Sequence, residues 1–347
     1  MRTLDRYVVK TVAGATVLVL MVVLALDLIF GFIGELDDVR NDYQMLQAVM
    51  YVLFTLPRRI YDYLPLAAFM GSLIGLGMLA NTSELVVMRA AGISVRRIVW
   101  AAMKPALVVV VVGALLGEYG APYFERIAQS EKAVAQGSGK GMESSGLWHR
   151  EGNTYMHFNA IEPNGVLHGV SLFEYDDQQR LQTSLFAQRA LYQRDQWLLE
   201  DLVITRMADT QVTKEQQASR VWETELSPKV LNVLIIKPDN LSMSGLFTYG
   251  RYLGEQGLNA AVYWMAFWKK ALQPLATAVL VLVAISFVFG PLRSVTMGFR
   301  VFTGIVVGLL FKYMQDLLGP LSMVFGFDPV VATLAPILIC AAAGTVL

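Results

Sequence analysis

The sequence predicts an α-helical integral membrane protein with six transmembrane helices and one inserted all-β domain. Of its 347 residues, 55% are hydrophobic and only 16% are charged, whereas soluble domains are about 45–50% apolar and about 25% charged. Long apolar stretches divide the chain, and one polar, strand-like insert separates the third from the fourth. The predicted architecture is therefore three helices, a jelly-roll-like domain and three more helices.

The composition also excludes several classes of protein. The 28 basic residues balance the 28 acidic residues, so nothing indicates a nucleic-acid binder or a basic peripheral protein. The high hydrophobic content excludes an intrinsically disordered chain. Cys340 is the sole cysteine, which excludes an intrachain disulfide and a four-cysteine metal site.

The spans follow from the spacing of the charges, because a bilayer core of about 30 Å requires about 20 mostly apolar residues. Six stretches satisfy this requirement: residues 12–34, the uncharged stretch between Asp62 and Glu84, residues 98–120, the uncharged stretch between Lys270 and Arg293, residues 299–320, and Pro329 to the terminus. The first stretch is too long for a cleaved signal peptide and is not followed by a small-residue cleavage pattern, so we expect it to remain in the protein.

The distribution of lysine and arginine predicts that both termini face the cytoplasm. The amino terminus, the loop from Asn81 to Lys104 and the loop around Arg293 and Arg300 are basic. The segment from Glu35 to Asp62 is more acidic and is predicted on the far side. The insert after the third span is then a translocated domain.

This insert, roughly residues 125–245, consists of short strand-like segments bounded by turn residues. The predicted strands are 146–158, 166–175, 181–192, 196–207, 220–226 and 230–236. Such a series is typical of an antiparallel sandwich or jelly roll. The domain boundaries are accordingly 1–124, 125–245 and 246–347.

Catalytic and metal-binding motifs are incomplete. Gly137–Lys140 resembles a phosphate loop but lacks its first glycine and its final serine or threonine. The dinucleotide-like pattern at Gly75–Ala80 lies inside an apolar span with no preceding strand. His149, His157 and His168 fall on different predicted strands without the spacing of metal ligands. We therefore expect this chain to hold no catalytic residue, metal or cofactor.

The loop after the second span predicts a short cytoplasmic helix over residues 81–94. Thr82 or Ser83 suits its N-cap, and Gly92 suits its carboxyl end. An apolar helix with few charges indicates docking on a partner protein, and a position at the lipid interface remains the alternative. The candidate docking residues are Glu84, Leu85, Met88 and Arg89.

Charges within the spans form a second candidate site. Asp27 and Lys312 lie at similar depth in spans one and five, and an ionised group there costs several kcal/mol unless it is paired or hydrated. Pairing or lining a polar cavity is one interpretation, and separate snorkelling to the interface is equally open. Arg58 and Arg59 precede the second span, and guanidinium groups suit phosphate. An amphiphile with phosphorylated sugars matches such a cavity.

Five runs of residues occur in the order found in one transporter family: Leu4–Tyr7, Leu64–Met78, Ser83–Met88, Phe289–Gly304 and Phe325–Pro329. Across the whole chain the sequence resembles the LptF/LptG family of lipopolysaccharide export permeases, more closely its G-type than its F-type members. The resemblance implies six spans, a periplasmic β-jellyroll and a location in the bacterial inner membrane.

The resemblance also implies an assembly. An F-type sibling permease and two cytoplasmic LptB-like ATPase subunits would complete an ABC transporter, with ATP and Mg bound by the ATPase. Lipopolysaccharide would enter laterally from the outer leaflet, through gates formed by the first and fifth helices, and pass to an LptC- and LptA-like periplasmic bridge. The 81–94 helix would be the coupling helix, with Glu84 contacting the ATPase.

The same resemblance assigns a set of cavity and gate residues: Asp27, Phe30, Gly31, Arg40, Arg58, Arg59, Phe311 and Lys312. One departure is that family lysines at the outer end of the first helix correspond here to Gly31, Asp37 and Asp38. Phosphate recognition is then expected from the arginines or Lys312. No basic tail follows the last span, and one interpretation is that the carboxyl terminus is truncated.

Alternative functions are an F-type sibling permease and a membrane-anchored assembly scaffold without transport activity. An intramembrane enzyme is disfavoured because the nucleophile and metal patterns are missing.

Overall fold

A computed structural model describes residues 2–39, 43–137, 147–161, 166–193, 196–208, 211–224, 226, 237–255, 259–290 and 295–346. The chain divides into two compact units. The helical unit comprises Met1–Phe30, Leu56–Pro122 and Pro238–Leu347, and the sheet-containing unit comprises Gly31–Thr55 and Tyr123–Lys237.

The described residues contain the following α-helices: α1 Arg2–Leu36, α2 Met45–Phe54, α3 Leu56–Asn81, α4 Glu84–Ala90, α5 Val95–Leu115, α6 Ala121–Gly137, α7 Met243–Glu255, α8 Ala261–Phe289, α9 Met297–Phe325 and α10 Pro329–Val346. Among them, α1, α3, α8, α9 and the continuous run from α5 into α6 are long and apolar enough to cross a membrane. The sixth predicted span corresponds to α10, an apolar helix of 18 residues and thus about 27 Å long.

Two helical segments were missed by the sequence analysis. The predicted extramembrane segment from Glu35 to Asp62 contains α2, which carries no charged residue. The third span continues past residue 120, because a π-helical turn at Leu116–Gly120 joins α5 to α6. The helix therefore reaches Gly137, and the first described strand begins at Leu147.

Helix α3 is the centre of the helical unit. It is the most buried of the candidate spans, and it packs against α5, α8 and α9. Its residues Phe69, Leu73 and Leu76 have completely buried side chains.

Glycines bring α1 and α9 close to α3. A Cβ atom added at Gly75 would lie 2.9 Å from the Cα of Val12 in α1, and one at Gly71 would overlap the backbone of Thr16. On α9, a Cβ at Gly304 would lie 2.6 Å from the Leu73 side chain. Small residues four apart let membrane helices approach closely. The backbones of α1 and α9 are therefore held close to α3.

Arg300 fixes the amino end of α9 to the carboxyl end of α3. Its side chain is buried, with a relative exposure of 1%, and its Nη1 donates a hydrogen bond to the Gly77 carbonyl oxygen at 2.7 Å. A cation is favourable near the carboxyl end of a helix, where carbonyl groups lack helical partners. This contact lies about one turn before the end of α3 at Asn81, after which α4 begins at Glu84.

The sheet-containing unit holds six antiparallel strands: β1 Leu147–Glu151, β2 Thr154–Ile161, β3 Leu167–Tyr175, β4 Leu181–Gln193, β5 Gln196–Ala208 and β6 Gln211–Trp222. Each described strand pairs with the next in sequence, so these strands form a meander without a Greek-key crossover. The all-β insert is confirmed. Its core contains Trp197, whose Nε1 donates to the Leu226 carbonyl oxygen at 2.7 Å.

The strand bounds differ from the prediction in two places. The predicted strand 146–158 is two strands, β1 and β2, separated by a turn at Gly152. The first three residues of the predicted strand 220–226 are the end of β6, which begins nine residues earlier at Gln211 because its first six residues are all exposed and show no apolar alternation. The predicted strand 230–236 lies outside the described residues.

We expect Gly71→Ala to lower the melting temperature of the purified protein, because the added methyl group must push the α1 backbone away from α3. Overpacking of this kind costs about 1–3 kcal/mol. Gly14→Ala is the matched control, since a Cβ there has nothing within 4 Å. Equal melting temperatures for the two variants would contradict this packing.

A second prediction concerns pH. His149 of β1 is buried, and burial lowers its pKa below the ordinary value. Below about pH 6.5 the unfolded chain binds a proton that the folded chain does not, so stability falls as the pH falls. The hydrogen-exchange protection factors of β1 and β2 in the full chain, which are corrected for the pH dependence of the intrinsic exchange rate, should fall between pH 7 and pH 5. His149→Gln should reduce this fall, and His168→Gln should not. The same fall in both variants would show that His149 is not its source.

Candidate functional site

The predicted loop helix is present as α4, and its termini show why it is short. Ser83 occupies the N-cap position with a left-handed backbone, φ 60°, while the Thr82 hydroxyl donates to the Glu84 carboxylate at 3.0 Å. At the other end, Gly92 has φ 83° and the Ile93 amide donates to the Met88 carbonyl oxygen at 3.1 Å. Gly92 thus ends the helix as predicted.

The exposed face of α4 differs in part from the predicted one. Leu85 and Met88 are buried and belong to the core of the helical unit. Val86 and Arg89, which lie on the predicted apolar face, are exposed, and Val87 is 65% exposed as well. The reason is helical geometry, because residues three apart share a face and the face of Leu85 and Met88 covers the core.

Asp27 is paired, but its partner is Arg59. The Arg59 guanidinium forms an ion pair with one Asp27 carboxylate oxygen, and the Tyr63 hydroxyl donates to the other at 2.7 Å. Arg59 and Tyr63 are four residues apart on α3 and therefore face α1 together. Both charged side chains are partly buried, so the pair neutralises Asp27 within the span. Arg59 is consequently engaged by a carboxylate, which removes it from the set of open phosphate ligands.

Lys312 does not contact Asp27, so the predicted pairing of these two residues is wrong. The Lys312 ammonium lies 3.8 Å from Asp316 in its own helix, and Lys269 of α8 lies 3.4 Å from the same residue. The side chain of Lys312 is 64% exposed. It is therefore available on the surface of α9.

The remaining cavity residues separate into exposed and buried positions. Phe30 of α1 is 69% exposed, and Arg58 is half-buried near the start of α3. Phe311 is buried and packs in the helical core, so its role as a gate residue stays a prediction. Gly31 belongs to the sheet-containing unit. Arg40 lies outside the described residues.

A polar cluster around Lys132 of α6 was missed by the sequence analysis. Its ammonium forms ion pairs with Glu35 and with Asp38, the latter at 2.7 Å. The Tyr43 hydroxyl donates to Glu35 at 2.7 Å, and the Lys132 ammonium lies 4.7 Å from the ring centre of Tyr51. Burial, together with the hydrogen bond to Glu35, raises the pKa of Tyr43. The cluster ties the end of α1 to α2 and α6.

The sequence contained a partial signal for this cluster. Glu35 and Asp38 stand three apart near the end of an apolar helix, where uncompensated acids are unfavourable. The sequence does not indicate Lys132 as a partner, because the predicted polar β domain begins at residue 125 and includes it. Within the described ranges, no group of three or more His, Cys, Asp or Glu side chains is arranged to hold a metal ion.

Comparison with known proteins identifies the family of this membrane chain. The profile of the lipopolysaccharide export system permease LptF/LptG family matches residues 6–347. The chain belongs to the LptF/LptG family. It is 36% identical over 338 residues to the lipopolysaccharide export system permease protein LptG of Escherichia coli strain K12, covering 96% of this chain and 94% of that protein.

A second similar protein is the LptG of Haemophilus influenzae, with 35% identity over 341 residues, 97% of this chain and 95% of the relative. The matches extend across both units of this LptF/LptG family member. The helical unit, with α4 and the Asp27–Arg59 pair, and the inserted sheet therefore belong to one family fold.

We expect Asp27→Asn to destabilise the protein, because it leaves the Arg59 guanidinium partly buried without its carboxylate. Breaking such a pair costs about 3 kcal/mol. The double variant Asp27→Asn with Arg59→Gln should recover part of this loss. Lys312→Gln is the control, since its exposed ion pair contributes about 0–1 kcal/mol. Thermal unfolding in detergent measures the wild type, each single variant including Arg59→Gln, and the double variant, and strictly additive losses in the double variant would argue against the pair.

Proposed function

We propose that this chain is the G-type permease subunit of an ATP-driven transporter that extracts lipopolysaccharide from the outer leaflet of the inner membrane. The observation that carries the proposal is the match over 96% of the chain to a protein named as a lipopolysaccharide export system permease. The other components are an F-type sibling permease, two LptB-like ATPase subunits that bind ATP and Mg, and an LptC- and LptA-like periplasmic bridge.

The basic loops give the proposed orientation. Both termini and α4 face the cytoplasm because the segments around them are rich in lysine and arginine. The six-stranded domain is then periplasmic, where it receives lipopolysaccharide from the membrane and passes it to the bridge. The chain itself hydrolyses no nucleotide, and the ATPase subunits supply the energy.

The exposed valines of α4 support its role in coupling. This seven-residue helix exposes two β-branched apolar side chains, Val86 and Val87. Burying them against a protein surface is favourable by about 1–2 kcal/mol each. The ATPase subunit is the proposed partner. Its movement on binding ATP displaces α4, and α4 transmits the displacement to α3.

The outward faces of α1 and α9 support a shared lipid cavity with the sibling permease. These two helices are the least buried of the candidate spans. They display Phe30 and Lys312 on their surfaces, which combine an apolar contact for acyl chains with a cation for phosphate. Helix α1 also carries a neutralised Asp27, so no uncompensated negative charge repels the lipid there.

Reconstitution tests this function. The chain is purified with its sibling and the ATPase, placed in proteoliposomes loaded with lipopolysaccharide, and supplied with ATP and the soluble bridge protein. We expect release of lipopolysaccharide to the bridge that requires ATP. A complex that forms but shows no ATP-dependent release would instead be the scaffold.

A variant of α4 tests the coupling role. Val87→Glu should reduce the co-purified ATPase about tenfold, equivalent to about 1.4 kcal/mol, because it places a charge in the buried part of the interface. Val262→Glu, at an exposed valine of α8, is the matched control and should leave the ATPase yield unchanged. Equal ATPase yields in both variants would exclude α4 as the docking helix.

A further inference from the structure

An open groove separates the first turns of α1 from α4. It has a volume of about 420 Å³ and is lined by Thr3, Leu4, Tyr7, Glu84, Val87 and Met88. Three of these residues come from each helix. The groove is therefore continuous with the exposed face of α4, since Val87 belongs to both.

The amino end of α1 is fixed in the helical unit. The Arg97 guanidinium of α5 donates to both carboxylate oxygens of Asp5, at 2.9 and 3.0 Å. Val8 of α1 is completely buried and packs in the same core cluster as Leu85 and Met88 of α4. The α1 wall of the groove is therefore held in place by an ion pair to α5 and by core packing.

The chemistry of the groove favours a protein partner over a lipid headgroup. Its apolar residues, Leu4, Val87 and Met88, suit a hydrophobic ridge, whereas the Glu84 carboxylate in its wall repels an anionic lipid phosphate. The elements next to it in sequence also carry exposed cations: Arg6 and Lys10 on α1, Arg89 on α4 and Arg96 near the start of α5. An apolar groove on helices that carry exposed cations complements a protein surface with an apolar ridge and acidic residues.

We infer that the amino-terminal turns of α1 form the second wall of the ATPase docking site, with Tyr7 as a contact residue. This inference rests on the proposed docking of the ATPase at α4 and extends it to another helix. The same helix carries Asp27 and Phe30 farther along. The ATPase then acts on α1 directly, in addition to acting through α4 and α3.

Photocrosslinking separates this inference from the proposed function. A benzophenone amino acid is introduced at Tyr7, Val87 or Leu18 in the assembled complex. Position 87 tests docking at α4, and position 7 tests the second wall. Position 18 is the control, because Leu18 is exposed in the middle of the α1 span. We expect ATPase adducts from positions 7 and 87 and none from position 18.

Each other outcome has a distinct meaning. Adducts from position 87 without adducts from position 7 would overturn the inference and leave docking at α4 intact. Adducts from neither position would overturn both. Lipid adducts at position 7 in place of ATPase adducts would show that the groove faces the membrane surface, which also overturns the inference.

Substitutions at Tyr7 give a quantitative readout that does not depend on the crosslinker. Tyr7→Ala should weaken ATPase binding to the purified permease pair about tenfold, and Tyr7→Phe, which loses only the hydroxyl, about threefold. Val17→Ala, at an exposed position of the same helix, should bind normally. Melting temperatures of the variants report their folding. A folded Tyr7→Ala permease with unchanged ATPase affinity would contradict the role of Tyr7.

Discussion

The close approach of α1 and α9 to α3 is the constraint on which the helical unit depends. Glycines at Gly71, Gly75 and Gly304 leave no room for side chains at these contacts. Helices in lipid gain little from the hydrophobic effect, so close backbone packing is a main source of their association. Because Arg300 also bonds to Gly77 near the end of α3, the three helices meet next to the helix proposed to receive the ATPase.

This arrangement gives the proposed transport cycle a mechanical basis. Helix α3 is buried and leads into α4, whereas α1 and α9 are the least buried of the candidate spans. In the proposed cycle, a displacement applied at α4 would reach both of these helices through their close contacts with α3. The ion pair of Asp27 and Arg59 adds a polar link between α1 and α3. Movement of the sibling permease relative to this rigid group would open and close the shared cavity.

The sequence predicted the spans, the inserted sheet and the loop helix, because charge spacing and alternation are local properties of the chain. It did not predict α2, since ten uncharged residues are too few for a span and the flanking acids indicated an exposed loop. It also ended the third span at residue 120, although Glu118 accepts the Met243 amide at 2.9 Å and is thereby accommodated within a continuing helix.

The site residues were harder to predict than the elements that carry them. Depth in the membrane suggested Lys312 as the partner of Asp27, but depth does not determine which way a side chain points around a helix. Arg59 is 32 residues away in sequence, and only the packing of α1 on α3 brings it to Asp27. Likewise, the apolar residues of α4 were recognised, but which of them face the core depends on how α4 lies against the helical unit.

Pulsed electron paramagnetic resonance on the assembled transporter tests the rigid coupling most directly. Spin labels at Val86 of α4 and Phe302 of α9, both exposed, are introduced into a chain in which buried Cys340 is replaced by alanine. We expect the same distance between the labels in the nucleotide-free and ATP-trapped states, because α4, α3 and α9 move as one group. A change of about one helical turn, about 5 Å, between the two states would contradict this coupling.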